Sequence, residues 1–143
     1  MPDLPNLPKG YKFHHIGYAT TSIESERGLF EFLGYRLDGD LFSDSVQGIA
    51  GCFLVGPGPC IELLENLPGS NTLTPWIKAR VKMYHFAYQV DDINAAIEWA
   101  RSQGAKVIVR PVPATAFMGS CISFMMFRSG LMVEFIEKRT SSL

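Results

Sequence analysis

The sequence predicts an α+β fold made of two tandem β-α-β-β-β modules, and three features predict it. First, the stretches HHIGYAT (14–20) and YHFAYQV (84–90) place His15 and His85 seventy residues apart (85 − 15 = 70), each followed by a bulky apolar residue, a small one and a tyrosine. Second, each stretch runs into a helix-like segment that stops at a glycine, Gly34 or Gly104, with the same spacing (104 − 34 = 70). Third, each half ends on a strand-like segment with a carboxylate in an apolar setting, Glu62 in CIELL and Glu134 in MVEFI (134 − 62 = 72). A repeat of this kind marks a duplicated supersecondary unit.

The elements follow in order. The first strand carries His15. The helix TTSIESERGLFEFLG then has Thr or Ser available as its N-cap, and Gly34 suits the left-handed turn past its end. Strands are expected at about 35–43, 49–56 and 59–66. A turn-rich linker at about 67–80 (LPGSNTLTPWIKAR) holds no periodic apolar pattern. The fifth strand carries His85. In the helix DDINAAIEWARSQG, Asp91 or Asp92 can cap, and Ile93, Ala96, Ile97 and Ala100 form a stripe at helical spacing. Strands at about 105–112, 120–128 and 131–138 complete the second half. Module one is thus about 11–66 and module two about 81–138, within a single domain over 1–143.

Composition excludes several classes. At 143 residues, 47% hydrophobic and 19% charged, the chain reads as a soluble globular domain able to bury a core. A formal charge of −1 provides no footprint for nucleic acid or an anionic membrane. No apolar run approaches the roughly 18 residues of a membrane span. The opening MPDLPNLPKG has three prolines and no apolar core of a signal, and reads as an extended lead-in. Three cysteines without CxxC spacing (Cys52, Cys60, Cys121) indicate reduced thiols and a cytoplasmic setting.

Strand parity then gathers four residues. Residues two apart share a face, so His15 lies with Phe13, Gly17 and Ala19, and His85 with Met83, Ala87 and Gln89. Small neighbours beside each imidazole suggest a cavity wall rather than packed core. The opposite faces, His14/Ile16/Tyr18 and Tyr84/Phe86/Tyr88, suit a covering helix. A carboxylate among apolar residues is costly to bury unless paired or bound to metal. Two imidazoles and two carboxylates, one pair per half, suit a divalent cation with open positions for water or substrate. Two unrelated buried His–Glu hydrogen bonds would not explain matched offsets in both halves.

On HHIGYA, IELLEN, YHFAYQVDDI, LMVEFIE and the small VQGI (46–49), the sequence resembles the vicinal oxygen chelate superfamily over about residues 11–138. That superfamily includes glyoxalase I, methylmalonyl-CoA epimerase, fosfomycin-resistance proteins and extradiol dioxygenases. The resemblance implies a cupped, partly closed mixed sheet around a metal site, helices outside. It implies His15, Glu62, His85 and Glu134 as ligands of one divalent ion (Ni, Co, Zn, Mn or Fe), with Glu134 also the proton-transferring base. It implies Gln47 and Asn66 as substrate contacts, and a homodimer acting on a small molecule. The loop PVPATAFMG (111–119), rich in Pro and small residues, reads as a lid or substrate-specificity loop with Phe117 its contact, the alternative being a plain hairpin connection that touches no ligand. His14, on the opposite face from the ligand histidine, is expected to be structural or solvent-facing.

The implied activity is that of a metal-dependent lyase or isomerase removing a proton alpha to a carbonyl. Two departures qualify it. Gly51 stands where the epimerase has a second catalytic glutamate, with Asp44 or Glu65 as conceivable substitutes, and Ala19 stands where glyoxalase I has an arginine. Methylmalonyl-CoA epimerase proper, a ligand-sequestering resistance protein and an Fe(II) dioxygenase are the alternatives. Cys60 is a conceivable cavity residue, Lys78, Arg80 and Lys82 a conceivable contact for an acidic substrate, and Trp76 reads as linker packing.

Overall fold

The computed structural model of the protein describes residues 8–139, so most of the proline-rich lead-in lies outside the described residues. Eight strands form one mixed sheet that curls into a half-barrel, with three α-helices. Module one comprises β1 (Lys12–Ala19), α1 (Ile23–Phe32), β2 (Arg36–Asp44), β3 (Ile49–Val55) and β4 (Ile61–Asn66). A short helix, α2 (Thr74–Lys78), occupies the linker that the sequence reads as turns. Its five residues are too few to show a period, and Pro75 starts it where a missing N–H costs nothing. Module two comprises β5 (Met83–Val90), α3 (Ile93–Ser102), β6 (Lys106–Pro113), β7 (Cys121–Met126) and β8 (Met132–Glu137), with a 3-10 turn at Thr115–Phe117.

The strand order is β2-β3-β4-β1-β5-β8-β7-β6. Each module pairs its first strand in parallel with its last (β1 with β4, β5 with β8), and the modules join through antiparallel β1 and β5. The four ligand candidates therefore lie on four adjacent central strands.

Local chemistry is repeated as well. Ser22 and Asp92 are the N-caps, accepting from Ser25 N and from Asn94 N and Ala95 N. A carboxylate outside each helix adds a second cap, Glu65 to Ile23 N and Glu137 to Ile93 N, both at 3.1 Å. Such placement also meets the positive end of the helix dipole. Gly34 and Gly104 take positive φ (92° and 88°), which only glycine adopts without strain. The predicted stripe Ile93, Ala96, Ile97 and Ala100 is fully buried, packed on Met125, Val133 and Phe135. Ile23 and Phe30 of α1 pack with Leu54, Ile61 and Leu63 of module one.

Among the described residues, no helix is long and apolar enough to cross a membrane.

Candidate metal centre and cavity

Backbone register explains why four ligand candidates converge. In one row across the sheet, Glu62 on β4 faces Gly17 on β1, which faces His85 on β5. In the next row, His15 on β1 faces Ala87 on β5, which faces Glu134 on β8. Each row has a histidine and a glutamate flanking a residue with little or no side chain. Gly17 and Ala87 thus leave the room in which the longer side chains meet. At Gly17 a methyl group would fall inside the His85 ring itself.

The four residues are buried, at most 4% exposed. His15 Nε2 lies 3.1 Å from Glu62 Oε1, 3.3 Å from Glu134 Oε1 and 3.2 Å from His85 Nε2. His85 Nε2 lies 3.3 Å from Glu134 Oε1 and 3.7 Å from Glu62 Oε1. Donors bound at ~2.0–2.2 Å to one ion stand roughly 3–3.5 Å apart, so the set fits a shared divalent cation. Hydrogen bonding alone does not satisfy it. Glu134 Oε1 is buried close to both imidazoles without hydrogen-bond geometry to either, and such an orphan acceptor is costly unless something positive meets it. Nitrogen and carboxylate oxygen donors suit Zn, Ni, Co, Mn or Fe.

Without an ion, a proton on His15 supplies the positive charge. Burial disfavours that proton, but Glu62 and Glu134 outweigh burial and raise the His15 pKa to about 9. Burial likewise opposes ionisation of Glu134, yet both histidines pull its pKa down to about 2. His15 must therefore shed its proton to bind metal at any pH below about 9. Apparent metal affinity should rise by about tenfold per pH unit between pH 7 and 9 and then level off, which titration with a competing chelator at several pH values would show. The metal-free protein should behave oppositely. The His15 contribution to stability is complete below its unfolded pKa of about 6.5 and is lost as pH rises through about 9.

One sequence expectation about this site needs correction. The strand register jumps from Phe13 to His15, leaving His14 bulged, and from Gly17/His85 to Tyr18/Met83, leaving Tyr84 bulged. The residue before each ligand histidine thus escapes strict alternation. His14 does not point away: its Nδ1 is 2.8 Å from His15 Nδ1, and its ring packs on Phe53 and Phe117. Phe13 packs instead on Phe86 and Tyr88 of the opposite face. With His15 Nε2 turned to the ligand cluster, its Nδ1–H can donate to His14 Nδ1, fixing the tautomer. Losing such a partner commonly costs 10–100-fold in metal affinity, so His14→Ala should weaken binding by about tenfold, less than loss of any ligand. Chelator competition on the two variants side by side would rank them.

Glu62 and Glu134 also form part of the wall of a cavity of about 490 Å³. Gln47 and Phe117 line it, as does Met132, which shares the face of Glu134 by strand parity, and so do residues that parity missed, notably Tyr84, Trp76 of α2 and Phe124. Phe117 stacks on His15 at 6.0 Å and 19°. Its turn is tied to module one by Asp44, which accepts from Thr115 N at 3.0 Å and from Gln47 Nε2 at 2.9 Å. Asn66 does not line the cavity; its side chain donates to Thr74 Oγ1 and accepts from Leu73 N, fastening the linker. Cys60 also lies outside the lining, and burial pushes its thiol up to about 11. Lys82 pairs with Glu26 at 2.7 Å.

The two carboxylates weighed as a second base are both engaged inside the protein. Asp44 is held by its three hydrogen bonds and its pKa is lowered by them despite burial, and Glu65 caps α1. A side chain at Gly51 would meet Phe42 at 2.6 Å, Leu64 at 2.7 Å and the Leu63 carbonyl at 2.9 Å.

Fold and site together define a duplicated β-α-β-β-β sheet with a buried two-histidine, two-carboxylate centre open to a cavity. The chain belongs to the glyoxalase/bleomycin resistance protein/dioxygenase superfamily, whose family model matches residues 14–124. It is similar to the crystal structure of a hypothetical protein from Bacillus halodurans C-125 at 29% identity, with a TM-score of 0.79, covering 94% of this chain and 99% of that one. It also resembles methylmalonyl-CoA epimerase from Mycobacterium tuberculosis at 24% identity and a TM-score of 0.74, covering 90% and 88%. A Streptomyces coelicolor methylmalonyl-CoA epimerase in complex with 2-nitronate-propionyl-CoA matches at 18% identity and 0.70, covering 90% and 97%. These likenesses establish the fold. A search of curated proteins found no match to the sequence.

Proposed function

We propose that this protein is a metal-dependent lyase or isomerase that removes a proton alpha to a carbonyl of a small substrate with two adjacent oxygens. The observation that carries the reading is the convergence of four buried donors, two from each module, with both carboxylates in the wall of a cavity. His15, Glu62, His85 and Glu134 would hold the cation. A divalent ion supplies Lewis acidity that polarises a carbonyl and is worth several kcal/mol to the reaction. Glu134 takes the proton: it lines the cavity and is ionised at neutral pH, the form a base requires. Phe117 and the apolar walls exclude water, which strengthens every charge interaction inside. The bulged His14 orients His15.

One base serves a proton shuttle on a single face of an enolate, whereas epimerisation is simplest with two. The occupied surroundings of Asp44, Glu65 and Gly51 therefore favour one-faced exchange over methylmalonyl-CoA epimerase proper. The test combines elemental analysis of protein purified without chelator with NMR observation of alpha-proton exchange in D₂O. Near-stoichiometric metal and metal-dependent exchange are expected, with poor conversion of (R)- to (S)-methylmalonyl-CoA. Metal-free protein that cannot be loaded would overturn the reading. Efficient epimerisation, with kcat/KM above ~10⁵ M⁻¹s⁻¹, would move the assignment to the epimerase.

A further inference from the structure

The cavity also bears on what the substrate is. Its floor is acidic, with Glu62 and Glu134, and among the described residues no lysine or arginine lines it. Its other polar linings are largely engaged inside the protein: Gln47 Nε2 donates to Asp44 and Thr72 Oγ1 donates to the Gln47 carbonyl. The walls are aromatic and branched. Trp76 and Tyr84 lie ring to ring at 5.5 Å and 31°, and Phe124 and Val112 close the module-two side. Even the rim is apolar, since Val46 and Ile108 line the cavity while remaining 74% and 52% exposed. The basic residues that precede β5 do not serve it, because Lys78, Arg80 and Lys82 are all absent from its lining and Lys82 is paired with Glu26.

Phosphate recognition uses charge-assisted donors from arginine, lysine or backbone N–H groups. A carbon-rich body instead gains about 25 cal/mol for each Å² removed from water. A volume of about 490 Å³ falls within the range of small-ligand sites, about 300–1,000 Å³. We propose that the substrate is a compact 2-oxo or 2-hydroxy carbonyl compound with an aryl or branched-alkyl body and no phosphate, rather than a coenzyme A thioester. The two neighbouring oxygens would face the four-donor centre and the body would lie between Trp76, Tyr84 and Phe124. This rests on the metal-dependent reading above for the oxygen-bearing end, and on the cavity walls alone for the body.

Trp76 supplies an internal reporter, since the other tryptophan, Trp99, packs against Tyr11 and Phe127 away from the cavity. In a Trp99→Phe background, zinc-loaded and metal-free protein would be titrated with phenylpyruvate, pyruvate and methylmalonyl-CoA while Trp76 fluorescence is followed. Phenylpyruvate should bind zinc-loaded protein at least about tenfold more tightly than either of the others. Trp76→Ala, followed by calorimetry, should weaken phenylpyruvate by about tenfold or more while leaving zinc affinity unchanged. Methylmalonyl-CoA binding as tightly as phenylpyruvate, or Trp76→Ala without effect, would overturn the proposal. Equal phenylpyruvate affinity with and without zinc would support the apolar-body assignment and count instead against the metal-dependent reading.

Discussion

Gly17→Ala should lose metal as thoroughly as His85→Ala, by at least about 100-fold in affinity, although residue 17 offers no ligand atom. Outer-shell changes that disturb a ligand cost 10–100-fold, and here the disturbance displaces the whole ring. Gly17 sits between Glu62 and His85 in one row of the sheet, and the His85 imidazole lies across the space a Cβ would need. The strand cannot yield easily, because it is hydrogen-bonded to β4 on one side and β5 on the other. His85 must therefore leave its rotamer, and one of four donors is lost. Gly28→Ala is the control. Its Cβ would meet nothing within 4 Å and it lies inside α1, so metal binding should be unchanged and stability should rise by about 0.5–1 kcal/mol. Chelator competition with circular dichroism checks both variants, and a Gly17→Ala protein that holds metal like the wild type would refute the row geometry.

The second large effect separates the two carboxylates. Glu62 and Glu134 occupy equivalent places in the two modules, and both line the cavity. Glu134→Gln should reduce alpha-proton exchange by ~10²–10⁴-fold, the usual cost of losing a general base. Glu62→Gln should retain metal and most of the exchange, because an amide oxygen can still ligate. Exchange rates measured at matched metal occupancy decide between them. Equal losses in the two variants would assign Glu134 no special role in moving the proton.

Much of this architecture was legible from spacing. The seventy-residue interval located both first strands, and the caps and C-terminal glycines located both helices, because each depends on local chemistry that sequence displays directly. Residues Glu62 and Glu134 stood out for a similar reason, being carboxylates where burial demands a partner. Strict alternation failed at His14 and Tyr84, since a bulge inserts one residue without leaving a signal in an apolar strand. Trp76 was hidden by the shortness of α2. Asn66 was placed by resemblance, yet its amide is consumed by the linker, a long-range outcome that depends on where Leu73 and Thr74 come to rest. Cavity walls were the least legible part, because they are assembled from β3, β4, β5, β6, β7, β8 and α2 together.

The antiparallel junction of β1 with β5 gives the centre a mechanical meaning. Each module alone offers one imidazole and one carboxylate, half a coordination shell, and only closure of that junction brings the halves within reach. Anything that binds the closed arrangement and not the separated halves must stabilise closure by the same free energy, which reaches about 4 kcal/mol at a thousandfold excess over Kd. The cation would then act as a clasp between two copies of one ancestral unit. Stretching the two modules apart would then take a force set partly by ion concentration.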